Sequence, residues 1–154
     1  MTLQKPLRKP RGFDTWLLVG RTNLKVHRAL NLLLGELDLS LAQHEILVTI
    51  RRNSGLTQRE LSEQLLVVKS NATALLQKLE ARGLIRRTPD SEDSRIKRLS
   101  LTRKGDVLVR KSFAVQTRVI QAMVAVMSDD ELEQTAEIMG RVGDAIDQII
   151  ERGN

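Results

Sequence analysis

Cysteine is absent from this 154-residue chain, tyrosine is absent too, and the aromatic side chains come to one Trp and two Phe. The first absence removes disulfides, thiolate metal sites and thiol-based oxidant sensing. The second leaves a core that has to be built from Leu, Val, Ile, Ala and Met, which favours helices. Only two histidines are present, His27 and His44, so a histidine-based zinc site is not expected. No Ser/His/Asp set, glycine-rich phosphate loop or metal-ligand spacing stands out, and the chain does not read as an enzyme or as the carrier of a cofactor. No apolar run reaches the length of a membrane span, and the opening MTLQKPLRKPR is basic without the apolar stretch of a signal peptide. The expectation is a cytoplasmic protein with no membrane contact.

What is present is charge, unevenly placed. Residues 1–128 carry 23 Lys and Arg against 11 Asp and Glu, whereas residues 129–154 carry 2 against 8. The positive part suits a polyanion, and nucleic acid is the commonest one; a merely solvated basic surface is the alternative that charge alone leaves standing. The first twelve residues, with Pro6 and Pro10 among the basic residues, read as a flexible basic arm.

Apolar periodicity predicts six helices and a hairpin. Val26, Leu30, Leu33, Leu34 and Leu37 share one face of a long helix from about Phe13. Ser40 with Gln43 forms a capping box for a second helix holding Ile46, Leu47 and Ile50, and Thr57 with Glu60 forms another for a short third. A fourth runs from about Lys69 to Arg82, with Ala72, Leu75, Leu76 and Leu79 on its apolar face and Gly83 as its stop. Its other side shows Lys69, Ser70, Asn71, Thr73, Ala74, Gln77 and Lys78, polar and free of acids. Two short extended segments, LIRRT and RIKRLSL, flank the acidic turn PDSED. Thr102 then starts a long helix to about Met127, and Ser128 with Glu131 caps a last one to about Glu151.

Two short helices joined by a tight turn and followed by a basic hairpin make a winged helix-turn-helix. The second of the two fits a DNA major groove and the hairpin reaches a neighbouring minor groove. Arg95, Lys97 and Arg98 supply charge for phosphate or for the minor groove, where negative potential attracts inserted arginine. The acids shape the turn, and Asp93 is near enough to Arg95 to pair with its guanidinium and orient it.

The run LTQRELSEQL, then LEARGLI, the Asp93-x-Arg95 pair and LTRKG resembles the DNA-binding core of the MarR family of bacterial transcriptional regulators. With the flanking helices, the likeness covers nearly the whole chain except the arm. It implies a mainly α fold with a small antiparallel β-hairpin, divided into an arm (1–12), an N-terminal dimerisation helix (13–38), a winged helix-turn-helix domain (39–102) and C-terminal dimerisation helices (103–154). It also implies a homodimer on double-stranded DNA with a palindromic operator, probed by a recognition helix and a wing from each subunit, and acting as a repressor relieved by a small anionic or aromatic effector. The heptad spacing of Leu132, Met139 and Ile146, interleaved with Thr135, Val142 and Ile149, suits a helix seam.

Residues carried over for DNA are Lys69, Ser70, Asn71, Thr73 and Gln77 on the recognition helix and Arg95, Lys97 and Arg98 on the wing, with Asp93 orienting Arg95. Asn71 and Gln77 have the donor–acceptor pair that matches an adenine edge. Two positions depart from the family pattern: Val68 stands where a Ser or Thr usually caps the recognition helix, and Ala74 where a basic residue is usual. Trp16, Arg21, His27 and His44 are candidate effector-lining residues. The competing reading is a winged-helix module for protein interaction or nonspecific DNA binding, with no operator and no effector.

Overall fold

The computed structural model describes residues 8–65 and 72–153. Its elements are α1 (Phe13–Gly35), α2 (Leu41–Arg52), α3 (Gln58–Gln64), α4 (Ala72–Ala81), β1 (Ile85–Pro89), β2 (Lys97–Leu101), α5 (Arg103–Val124) and α6 (Asp129–Arg152). By internal contacts the chain divides into two units, one through Val115 and one from Gln116, so the division falls within α5.

The helix ends follow from local chemistry. The hydroxyls of Ser40, Thr57 and Ser128 each accept the N–H of the residue three positions on, and the Gln43, Glu60 and Glu131 side chains each accept the cap's own N–H. All three expected capping boxes therefore form, satisfying donors that a helix start would otherwise leave open. At the end of α1, Asp38 takes a left-handed conformation with φ 53°, and Leu39 N–H returns to Leu34 O. Gly83, φ 68°, does the same for α4, with Leu84 N–H reaching back to Leu79 O. A Cβ is costly in that conformation, which is why glycine suits this end.

The core of the first unit gathers around α2, which packs against α1, α3, α4 and β2. Ile46, Leu47 and Ile50 of α2 are fully buried, together with Leu34, Leu61, Leu76 and Leu79 from the neighbouring helices. The hairpin joins this core through Ile85 and Leu99. β1 and β2 pair antiparallel with Ile85 opposite Leu101 and Pro89 opposite Lys97. The far edge of β2 is also used: Gly55 N–H donates to Leu99 O, Leu99 N–H donates to Leu56 O, and Thr57 bridges Arg98. Sequence patterning showed the RNSG stretch only as a helix end. Its pairing with β2 is nonlocal and leaves no period to read.

Thr102 ties the hairpin to α5. Its hydroxyl donates to Gly83 O at 2.7 Å and accepts from Gly105 N–H at 3.0 Å. Asn31 ties α1 to α2, its amide oxygen accepting from Leu41 N–H at 3.0 Å.

In the second unit no residue of α6 is buried. Leu132, Met139, Val142, Ile146 and Ile149, the heptad positions, all stand exposed.

Gly105, in the first turn of α5, has no room for a side chain, since a Cβ would run into the Leu84 carbonyl. Gly105→Ala is expected to cost about 3 kcal/mol or more, as overpacking against backbone does, and to lower the urea midpoint of unfolding correspondingly. An unchanged midpoint would show that the Leu84–α5 approach relaxes freely.

Candidate nucleic-acid interface

The wing is built by two aspartates with separate tasks. Asp90 Oδ1 accepts the N–H groups of Glu92 and Asp93, at 2.9 and 3.2 Å, which closes the turn. Its Oδ2 accepts Arg98 Nε at 2.6 Å. Arg98 Nη1 in turn donates to Gly55 O at 3.0 Å and lies 3.8 Å from Glu60 Oε2. The base of the wing is thereby fastened to the segment that starts α3.

Asp93 holds Arg95 as the sequence spacing implied. Its Oδ1 accepts both the Arg95 backbone N–H and Nε, each at 3.0 Å, and its Oδ2 accepts Nη2 at 2.9 Å. The Arg95 side chain is nonetheless 90% exposed. A fork gripped from one side has its rotamers restricted while its remaining donors face outward, an arrangement that lowers the entropy lost when it meets an acceptor. Lys97, also exposed, donates to Ser94 O at 3.1 Å.

These contacts set the charge states. The Arg98 guanidinium, and then the Glu92 and Asp93 N–H groups, hold the Asp90 carboxyl down to about 2. Arg95 holds Asp93 below the usual carboxylate range, first through its side chain and then through its backbone N–H. Thr57, through its backbone N–H first, lowers Glu60. Arg95 and Arg98 are both raised by their aspartates.

Between the wing and α3 lies a groove of about 640 Å³ whose lining includes Gln58, Arg59, Arg87, Arg95, Lys97 and Arg98. Five cationic side chains around one concavity, with Glu60 the acid among its walls, concentrate positive potential where a phosphate backbone could run. On α4, Thr73 and Gln77 are exposed one turn apart, opposite the buried Ala72, Leu76 and Leu79. Lys69, Ser70 and Asn71, with Val68, lie outside the described residues.

The structure gives Arg98 a different placement from that of Arg95. Arg98 is directed at Asp90 and Gly55 rather than outward, so its evident work is to position the wing. Sequence reasoning did not single out Asp90 or the Gln58–Arg87 contact, in which Arg87 Nη1 donates to Gln58 Oε1 at 3.3 Å. The acid-rich turn signalled that some carboxylate shapes it, but which one depends on the register of the hairpin.

The candidate effector residues are not assembled into one lining. Trp16 is exposed, stacks at a tilt on Phe13, and lines a small surface pocket with Pro10, Arg11, Gly12 and Phe13. Arg21 is exposed and His27 half-buried farther along α1. His44 is buried, its Nδ1 2.9 Å from Ser112 Oγ. The Ser112 hydroxyl also lies 3.1 Å from Val109 O, and the His44–Ser112 pair fastens α2 to α5.

Comparison with known proteins agrees with this geometry. A model described as the MarR family matches residues 37–96. An uncharacterized HTH-type transcriptional regulator of Bacillus subtilis (strain 168), YybA, is 30% identical over 125 residues, which is 77% of this chain and 81% of that protein. The chain belongs to the MarR family. The HTH-type transcriptional repressor MdtR of the same organism is 28% identical over 117 residues, 73% of this chain and 76% of that protein. Among solved structures, a mutant MarR from E. coli complexed with operator DNA superposes with a TM-score of 0.74 at 27% identity, covering 84% of this chain and 93% of that one. The fold class is therefore that of a MarR winged helix, and this MarR-family chain is a DNA-binding transcription regulator. Among the described residues no helix is long and apolar enough to cross a membrane.

Because Asp90 titrates lower in the folded wing than its ordinary 3.8, its hold on the hairpin is fully present above that value and is lost as pH falls toward about 2. The Glu92 and Asp93 amides are expected to keep their exchange protection on acidification until that range. In Asp90→Ala they lose it at neutral pH, as followed by NMR. Equal protection in both proteins would remove Asp90 from the turn.

Proposed function

We propose that this MarR-family regulator acts as a homodimeric repressor, each subunit setting α4 in a major groove and its wing in the adjacent minor groove of a palindromic operator. The observation that carries the reading is the Arg95 fork, exposed at the wing and held bidentately by Asp93. A minor-groove arginine needs that combination of outward donors and restricted rotamers. The reading assigns base and phosphate contact to Lys69, Ser70, Asn71, Thr73 and Gln77 on the recognition helix and to Arg95 and Lys97 on the wing, with Arg98 and Asp93 positioning them. The operator complex of the E. coli MarR, of similar fold, supports DNA as the partner, and the naming of MdtR as a repressor supports the direction of control.

The dimer is supported by the uncovered heptad stripe of α6, where Leu132, Met139, Val142, Ile146 and Ile149 face solvent. A contiguous apolar stripe of this kind calls for a partner, and a second copy supplies a complementary stripe under two-fold symmetry. Two recognition helices then meet half-sites one helical turn apart, about 34 Å. The reading includes a small aromatic or anionic effector. Trp16 and Arg21, exposed on α1, offer it a ring face and a cation, and it would act by preferring the dimer arrangement in which the recognition helices no longer match the half-sites.

Two outcomes are expected. Arg95→Ala should weaken binding to the operator, sought in the protein's own upstream DNA by anisotropy with excess nonspecific competitor, by roughly ten- to a hundredfold, while sedimentation still reports a dimer. Unchanged affinity would show that the wing does not touch the operator. Ile146→Asp should shift sedimentation from dimer to monomer and lower operator affinity with it; a dimer that persists would place the seam elsewhere.

A further inference from the structure

Gln58 is the first residue of α3, and its backbone is fixed by the Thr57–Glu60 capping box that starts the helix. Its amide reaches two other elements. Oε1 accepts Arg87 Nη1 of β1 at 3.3 Å, and Nε2 donates to Thr73 Oγ1 in the first turn of α4 at 2.6 Å. The orientation of the amide is not arbitrary: a guanidinium can only donate, so the oxygen must face Arg87 and the NH2 must face Thr73. Arg87 also meets α4 directly, with Nε 3.1 Å from Glu80 Oε2. Thus α4 is held near both ends, by Gln58 at Thr73 and by Arg87 at Glu80.

The apolar contacts of α4 do not do the same work. Ala72, Leu76 and Leu79 keep it against the core, but packing of that kind is weakly directional and tolerates small rotations about the helix axis. A short hydrogen bond to a side chain in the first turn constrains that rotation. Thr73 and Gln77 are one turn apart on the exposed face, so whatever turns Thr73 turns Gln77 with it.

We propose that Gln58 is a positioning residue for operator specificity: through its bond to Thr73, braced by Arg87, it sets the rotation of the recognition helix relative to α3 and the wing. This rests on the reading of α4 as the major-groove helix. Gln58 acts here through Thr73. Its effect on discrimination between DNA sequences therefore exceeds its effect on affinity for DNA in general, which phosphate charge dominates.

The test uses the full-length protein and the variants Gln58→Ala, Thr73→Val and Thr73→Ser, with the Gln58→Ala/Thr73→Val double variant. Thr73→Val removes the hydroxyl that accepts from Gln58 while keeping the shape of the side chain, and Thr73→Ser keeps the hydroxyl. Operator affinity is expected to fall about tenfold in Gln58→Ala and Thr73→Val. In Gln58→Ala, affinity for nonspecific DNA should stay within about twofold of the parent and the urea midpoint within error of it, and Thr73→Ser should bind the operator as the parent does. The double variant is expected to lose no more than either single one. Losses that multiply in the double variant, or that fall equally on operator and nonspecific DNA, overturn the proposal. A DNA-free readout accompanies it: amide exchange in residues 76–80, whose N–H groups bond within α4, should quicken about tenfold in Gln58→Ala, and unchanged exchange also overturns it. If the parent protein bound all DNA alike, the regulator reading would fail on its own terms, and the exchange result would still decide whether Gln58 positions α4.

Discussion

Three side chains on one helix organise the first unit. Ile46, Leu47 and Ile50 of α2 are fully buried, and the elements packed on that helix are α1, α3, α4 and β2. Of those neighbours α3 has seven residues, below the length at which isolated helices persist in water. Burial against α2 is what lets such short helices exist and leaves their polar faces free. The proposed DNA-facing surface depends on this one apolar contact set, although no residue of α2 is assigned to the surface itself.

Over that apolar base, directional polar contacts set the fine geometry. Asp90 closes the wing turn and, through Arg98, fastens it to Gly55 ahead of α3. Thr102 joins the end of α4 to the start of α5, and Gln58 joins α3 to both α4 and β1. Burial supplies stabilisation in proportion to area and is indifferent to small rotations, whereas hydrogen bonds and ion pairs fix angles. A protein that must match the spacing of grooves on a rigid duplex needs the second kind of constraint in addition to the first.

Charge is divided unevenly along the chain. Five of the cations of residues 1–128 line the wing groove, while residues 129–154 carry 2 Lys and Arg against 8 Asp and Glu. An acidic helix with an apolar stripe is poorly suited to DNA and well suited to a partner helix, and the three acids in its first turn also favour its N-terminus. The family's general role in transcription thus finds a physical counterpart in two surfaces of opposite character on one chain.

The helices, their caps and their buried faces were legible in the sequence because each rests on local chemistry. Ser40, Thr57 and Ser128 with their partners three residues on are signals contained within one helical turn, and Leu76 and Leu79 repeat at a helical period. The Asp93–Arg95 grip was legible for the same reason, as its partners are two residues apart. Three things were decided by tertiary structure alone. Arg98, one of three similar cations in the wing, meets Asp90 because the register of β2 against β1 aims it there. His44, a candidate effector-lining residue in the sequence, is buried against Ser112, sixty-eight positions away. Gln58 contacts Thr73 and Arg87 because α3, α4 and β1 converge on it. Periodicity and spacing report which residues are apolar and which neighbours can pair; the direction of a long polar side chain depends on elements distant in the chain, and only the packed fold brings those together.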